Sequence, residues 1–208
     1  MSIHSDNLAG GRQNHILFGA GVYFHGMEYS ETEAPSVGDI PDFSFGATQD
    51  GGTLTITPEF FRPDLDGVSV AVKELQVKVG ETATMDISFA ELHADLVKHL
   101  TIGKVGATTD NNYEVITSAT NLAPGHFYDG FGYYGELLDG RPVIIIFKHA
   151  LCTSGFTTDA KNKTNSVFKG TFECMSDFEY GVDRLPYAIF IRKSNGWTPV
   201  NSDEVANA

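Results

Sequence analysis

Leu75-Gln76-Val77-Lys78-Val79-Gly80-Glu81-Thr82-Ala83-Thr84-Met85-Asp86-Ile87-Ser88, read with its surroundings from 68 to 100, decides what kind of chain this is. Through Val79 the apolar residues fall on every second position while Glu74, Gln76 and Lys78 take the other face, the period of a half-buried strand. Gly80-Glu81 reads as a tight reversal. The alternation resumes from Thr82 to Ser88, so the expectation is two antiparallel neighbours, each with one apolar and one polar face. Then the period changes: Phe89, Leu92, Leu96, Val97 and Leu100 share one stripe of a helix, with Glu91, His93, Asp95 and Lys98 opposite. Ser88 and Glu91 fit a capping box, in which each side chain satisfies an otherwise orphaned amide at the helix start. The polar strand face of this unit is left for something else to use.

A chain of 208 residues, 41% hydrophobic, is long enough to bury a full core in one large domain or at most two. Outside that one helix, short apolar runs alternate with turn residues, among them 22 Gly and 8 Pro, which predicts an all-β architecture. Cys152 and Cys174 could pair if their strands were adjacent; the reading preferred is two buried or semi-buried thiols in a reducing cytosol. Residues 1–12 are polar and lack an apolar central region, so export through a signal peptide is not expected. The longest apolar run, 143–147, is far too short to cross a bilayer, and the chain reads as soluble. A formal net charge of −13 opposes any sequence-specific grip on DNA or RNA, which needs cations against phosphates. The same charge suits a surface that nucleic acid must slide past without sticking.

Along the chain, residues 1–14 read as a mobile arm and the first strand as 15–24. Residues 25–52, acidic and with Pro35 and Pro41, read as a long contact loop. After Gly51-Gly52, Leu54 and Ile56 point one way and Thr53, Thr55, Thr57 and Glu59 the other. Arg62-Pro63-Asp64-Leu65-Asp66-Gly67 is a turn-rich connection. It fails the EF-hand pattern because the first acidic position is Arg62. Short strands are expected at 104–108 and 113–117, a deep strand at 143–147, an exposed loop at 153–165, strands at 167–178 and 187–192, and an unstructured acidic end at 201–208.

Gly130-Phe131-Gly132-Tyr133-Tyr134-Gly135 matches GxGxxG by letter but lacks the strand-turn-helix context that cradles a pyrophosphate. It reads instead as an aromatic loop or strand whose glycines make room for tyrosines. The seven histidines show no zinc-like spacing, so no metal or cofactor is expected. Glu91, His93 and Asp95 cluster on what reads as the solvated helix face, where charges are ordinary, and Asn162-Lys163-Thr164 matters as a sequon only on a secretory route. No active site is legible, and the chain is not expected to be an enzyme. One binding alternative stays open: a β-sandwich module that stacks carbohydrate on the aromatic residues of 127–134.

Three segments carry a resemblance: Phe45-Gly46-Ala47-Thr48-Gln49-Asp50-Gly51-Gly52, the run from Val72 to Met85 leading into Ile87-Ser88-Phe89-Ala90-Glu91-Leu92, and Phe168-Lys169-Gly170-Thr171-Phe172-Glu173. With Leu17-Phe18-Gly19-Ala20-Gly21-Val22-Tyr23-Phe24 they cover most of residues 15–180, and by order and spacing the chain resembles the major tail (tail tube) proteins of long-tailed bacteriophages. The resemblance implies a β-sandwich of two antiparallel sheets flanked by one α-helix (15–193, between the arm 1–14 and a tail 194–208). It implies hexameric rings stacked into a tube, with the sheets closing into a β-barrel around an acidic lumen that conducts DNA into the host. The partners implied are further copies of the chain and tape measure, tail-terminator and distal tail proteins, with DNA only in transit and no membrane insertion. The place implied is the virion tail, assembled in the host cytoplasm.

On that basis the polar strand faces assign Thr55, Thr57, Glu59, Glu74, Gln76, Thr84, Asp86 and Glu173 to the lumen. Stacking of rings is assigned to the loop between the strand after Gly52 and the central hairpin, through Phe60, Phe61, Arg62, Asp64, Leu65 and Asp66, an apolar anchor with a charged rim. The loops 153–165 and 25–45 and the N-terminal arm are expected to add contacts.

Overall fold

Val143, Ile144, Ile145, Ile146 and Phe147 are apolar without alternation and all are buried, as a strand covered on both faces requires. They form the first half of β7 (Pro142–Cys152), the strand on which the sheet is built. The computed structural model describes residues 17–38, 40, 44–67, 69–108, 110, 112–158 and 166–194. The arm 1–14, the Asn162-Lys163-Thr164 triplet and the tail from 195 lie outside the described residues.

The other strands are β1 (Leu17–Phe24), β2 (Thr48–Phe61), β3 (Val77–Phe89), β4 (Gly103–Gly106), β5 (Val115–Ser118), β6 (Tyr128–Leu137), β8 (Thr157–Thr158), β9 (Phe168–Met175) and β10 (Tyr187–Ile191), with one α-helix, α1 (Ala94–Leu100), among the described residues. The fold is mainly β and every strand pairing is antiparallel. The main sheet runs β1-β6-β7-β9-β3-β2, with β10 added on β7 and β8 on β9, while β4 and β5 form a separate ribbon. β10 pairs β7 from Val143 to Phe147 and β9 pairs it from His149 to Cys152, so the sheet forks at β7. The layers are thus halves of one continuous strand order rather than separate sheets.

The halves face each other because the sheet curls. Ser44 bridges Phe24, the Phe45 amide donates to the Tyr23 carbonyl at 3.0 Å, and β1 touches β2. Tyr23 lies so close over Gly52 that a Cβ there would sit 2.1 Å from its hydroxyl oxygen. Between the halves, Phe45, Phe89, Tyr128, Phe131, Phe147 and Phe172 pack as one aromatic core. Cys152 and Cys174 are buried free thiols on adjacent strands, unpaired with each other although their strands are neighbours.

The hairpin expected at Gly80-Glu81 does not exist. β3 runs straight through both residues, and its partner along the whole length is β2, so the hairpin is β2–β3 and its connection is 62–76. The physical reason is phase. A two-residue turn would put Val79 on the face of Thr82, whereas Ala83, Met85 and Ile87 share the odd-numbered face of one strand, whose ladder carries Gly80 and Glu81 opposite Glu59 and Pro58 and shifts register at Val79. Glu81, the exception on that face, sits at the core's rim, where the Tyr187 hydroxyl donates to it at 3.1 Å and Lys78 pairs with it at 2.9 Å.

The helix is shorter than its stripe predicts. Phe89, fully buried, ends β3 in register with Phe168 and Thr48, so strand pairing overrides the helical period there. The capping box is not formed. His93 is the N-cap without a side-chain bond, Leu92 is half exposed, and Glu91 accepts the Ala47 amide at 3.1 Å instead. Leu96 and Leu100 are buried as expected.

The stretch 25–38 is no free loop. Met27 and Ile40 belong to a second core with Phe24, Ile144 and Ile146, and Glu31 pairs with Arg184 at 3.0 Å. The GxGxxG letters lie in β6, where added Cβ atoms at Gly132 and Gly135 would meet the rings of Phe24 and Tyr133. Room for aromatic rings is therefore what those glycines provide.

Two histidines are built into the α1 flank. His99 stacks on Tyr128 with ring centroids 3.7 Å apart, and His25 lies between Phe45 and Tyr128. Burial lowers the pKa of both; Asp95 opposes this at each ring, while His126 and Lys98 add to it at His99. Because the folded pKa lies below the free value of 6.5, the unfolded chain binds more protons between the two, so stability present above 6.5 is lost as pH falls toward the folded values. Urea midpoints should accordingly fall between pH 7.5 and 5; a flat midpoint contradicts this burial-driven account.

Candidate assembly surfaces

The ladder register gathers most of the polar residues named above onto one surface. Thr55 lies opposite Thr84, Thr53 opposite Asp86, Thr57 opposite Thr82 and Glu59 opposite Gly80. On the next strand, Glu173 lies opposite Thr84 and Thr171 opposite Asp86. Directly opposed residues share a face, so Thr55, Thr57, Glu59, Thr84, Asp86 and Glu173 form one polar field across β2, β3 and β9. The Thr171 hydroxyl donates to Asp86 and ties β9 to β3 across that field. Glu74 and Gln76 do not join it. Glu74 lies in a 3-10 turn (Lys73–Leu75) and Gln76 caps that turn, because β3 begins only at Val77.

At the end of the field, β9 stops pairing at Thr84 while β2 and β3 continue together to Phe61 opposite Val77. The result is a two-stranded arm. On it Phe60 is 57% and Phe61 55% exposed, and Val77 and Val79 are as open. Leu65 and Val70 are exposed in the connection, where the Arg62 guanidinium donates to the Val70 carbonyl and Asp66-Gly67 makes the turn. Asp64 and Asp66 are exposed beside them. The structure therefore places Phe60, Phe61, Arg62, Asp64, Leu65 and Asp66 on one protrusion. Val77 and Val79 are exposed on the same arm, Val77 on the face of Phe61 and Phe60 on the other face with Lys78; sequence reasoning missed them by giving their strand a false turn.

The aromatic run offers no platform. Tyr128 and Phe131 are buried, and Phe127, Tyr133 and Tyr134 are partly covered, with Tyr133 packed on Tyr23 at 5.2 Å. Within the Glu91, His93 and Asp95 group, His93 lies 3.3 Å from Glu91 on the surface, and Asp95 faces Lys98 and His99. Among the described residues no group of three His, Cys, Asp or Glu is placed to hold a metal ion, and no helix is long and apolar enough to cross a membrane. Part of 153–165 pairs with the sheet through β8, and Phe156 stacks on Phe168 at 5.7 Å; residues 159–165 lie outside the described residues.

No protein-family model and no curated protein matches the chain.

Proposed function

We propose that the chain is the structural subunit of a bacteriophage tail tube: copies close into six-fold rings, the rings stack, and the polar strand face borders a lumen through which DNA passes. The observation that carries this reading is the bare β2–β3 arm, which leaves two phenylalanines and two valines in water at the end of a well-packed sheet. An exposed apolar surface rimmed by charge is what an interface leaves behind when its partner is absent. Beside it lies a field of hydroxyls and carboxylates with few cations, on a chain of net charge −13, a surface that phosphates do not adhere to.

In this reading the two halves of the curled sheet are the sandwich and α1 is its flanking helix. Strand pairing between neighbours, closing a barrel, covers the outer edges of β2 and β10, which otherwise template aggregation. Tape measure, tail-terminator and distal tail proteins are the partners that such a tube needs, and the virion tail is its place.

Negative-stain microscopy of the purified chain is expected to find rings or tubes under some condition. A chain that stays monomeric and never enters particles refutes the reading. The lumen assignment has its own check. Burial pushes the Cys174 thiol up to about 12, and Cys152 is also enclosed, so introduced cysteines are labelled over a low background. Thr55→Cys and Glu173→Cys should react with a bulky maleimide as free subunits and be protected in tubes. Ready labelling in intact tubes places those strands outside.

A further inference from the structure

His149, on the second half of β7, has a carboxylate on each side of its ring. Its Nδ1 lies 2.6 Å from Asp129 Oδ1 on β6, and its Nε2 lies 2.8 Å from Asp177 Oδ2 in the turn after β9. Asp177 organises that turn. Its Oδ2 also accepts from Lys148 Nζ at 2.7 Å, its Oδ1 accepts the Tyr180 amide at 2.6 Å, and its carbonyl accepts the Gly181 amide at 3.1 Å. Lys148 first, then the Tyr180 amide and His149, hold the Asp177 carboxyl well below the usual range, so it stays an acceptor. The charged and titratable groups around the ring are Asp129 from β6, Asp177, Glu179 and Tyr180 from the turn, and Lys148 on its own strand; Met175, opposite on β9, brings no charge.

A neutral imidazole has one N–H and one lone pair, so between two carboxylates it satisfies one and repels the other; the doubly protonated ring donates to both. We propose that Asp129–His149–Asp177 is a proton-operated clasp, which ties β6 to the turn 177–181 while both ring nitrogens carry protons and loosens the turn, leaving Lys148 as its one side-chain tie through Asp177, when one proton leaves to solvent. The proton lost is the one on Nε2. Asp177 keeps Lys148 as its cation, whereas the carboxylate of Asp129, a residue whose backbone carbonyl alone accepts the Gly26 amide, meets no second donor among the described residues, so the remaining N–H stays on Nδ1 toward Asp129. What the clasp governs is the presentation of Phe178, 97% exposed on the turn it holds. This inference stands whether or not the chain builds tubes.

The test is a pH titration of the full chain by NMR, reading the ring nitrogens of His149 and the exchange rate of the Tyr180 amide. As His149 loses its proton, the neutral ring should be the Nδ1–H tautomer, and Tyr180 exchange, corrected for intrinsic pH dependence, should rise about tenfold, the weight of one charge-assisted hydrogen bond. Asp129→Ala, at a side chain 76% exposed, should turn the neutral ring to Nε2–H facing Asp177 and uncouple Tyr180 exchange from the titration. A wild-type neutral ring with Nε2–H, or Tyr180 exchange that ignores the titration, overturns the clasp. So does an Asp129→Ala chain that behaves as wild type.

Discussion

Phe131→Ala is expected to lower the unfolding free energy by about 3–5 kcal/mol, the cost of emptying a large aromatic site in a core that cannot fully collapse. Phe131 is completely buried on β6, with ring centroids 4.7 Å from Phe172 on β9, 5.6 Å from Phe45 ahead of β2, and 6.4 Å from Phe147 on β7. It therefore joins the two halves of the curled sheet, and its loss leaves facing rings with no partner between them. Against a total stability of about 5–15 kcal/mol for a domain, the variant should melt early or fail to accumulate. Phe178→Ala, at a ring left in water, is the control and should stay within about 0.5 kcal/mol of wild type. Guanidinium unfolding followed by near-ultraviolet circular dichroism measures both. Similar midpoints for the two variants contradict the core described here.

Phe60→Ser combined with Leu65→Ser is expected to give a soluble, folded subunit that forms no tubes. Both side chains lie largely in water on the β2–β3 arm, so their removal costs the isolated subunit little, within about 0.5 kcal/mol per site. In the interface proposed above the same two side chains occupy the buried centre, where one aromatic anchor is worth about 2 kcal/mol or more, and in the proposed assembly the loss repeats at every copy. Sedimentation and negative-stain microscopy of variant beside wild type decide the matter. Normal tubes from the variant refute the assignment of the arm. Insoluble protein points instead to a connection that caps its own sheet.

Much of this architecture is legible in the chain. Alternation located β2 and β9, and the unbroken apolar run at 143–147 located the most deeply buried strand, because burial on one or two faces writes itself directly into residue type. Gly80-Glu81 misled because a glycine inside a strand carries the same letters as a glycine in a turn. The return of apolar residues to the odd positions on both sides of Glu81, Val77 and Val79 before it and Ala83, Met85 and Ile87 after it, was the available correction. Glu91 misled for a related reason. The letters of a capping box were present, yet the ladder needed Phe89 inside, and Glu91 was taken by Ala47, a partner distant in sequence. Thr55, Thr57 and Glu59 share a face for a simple geometric cause: residues two apart on a strand lie on one side whatever the register. The Asp129–His149–Asp177 cluster was invisible because its members come from three separate segments, joined only by the order β6-β7-β9.

That β3 is one uninterrupted strand also has a mechanical meaning. It belongs at one end to the bare arm and at the other to the ladder with β9, in register from Thr84 to Phe89. A pull on the arm along the strand axis therefore loads those rungs side by side, in shear, so that several must rupture together before the strand slips. The same pull applied across the strands meets the rungs one at a time and peels them. With a turn at Gly80 the axial load would have ended at a loop; without one, it passes straight into the sheet.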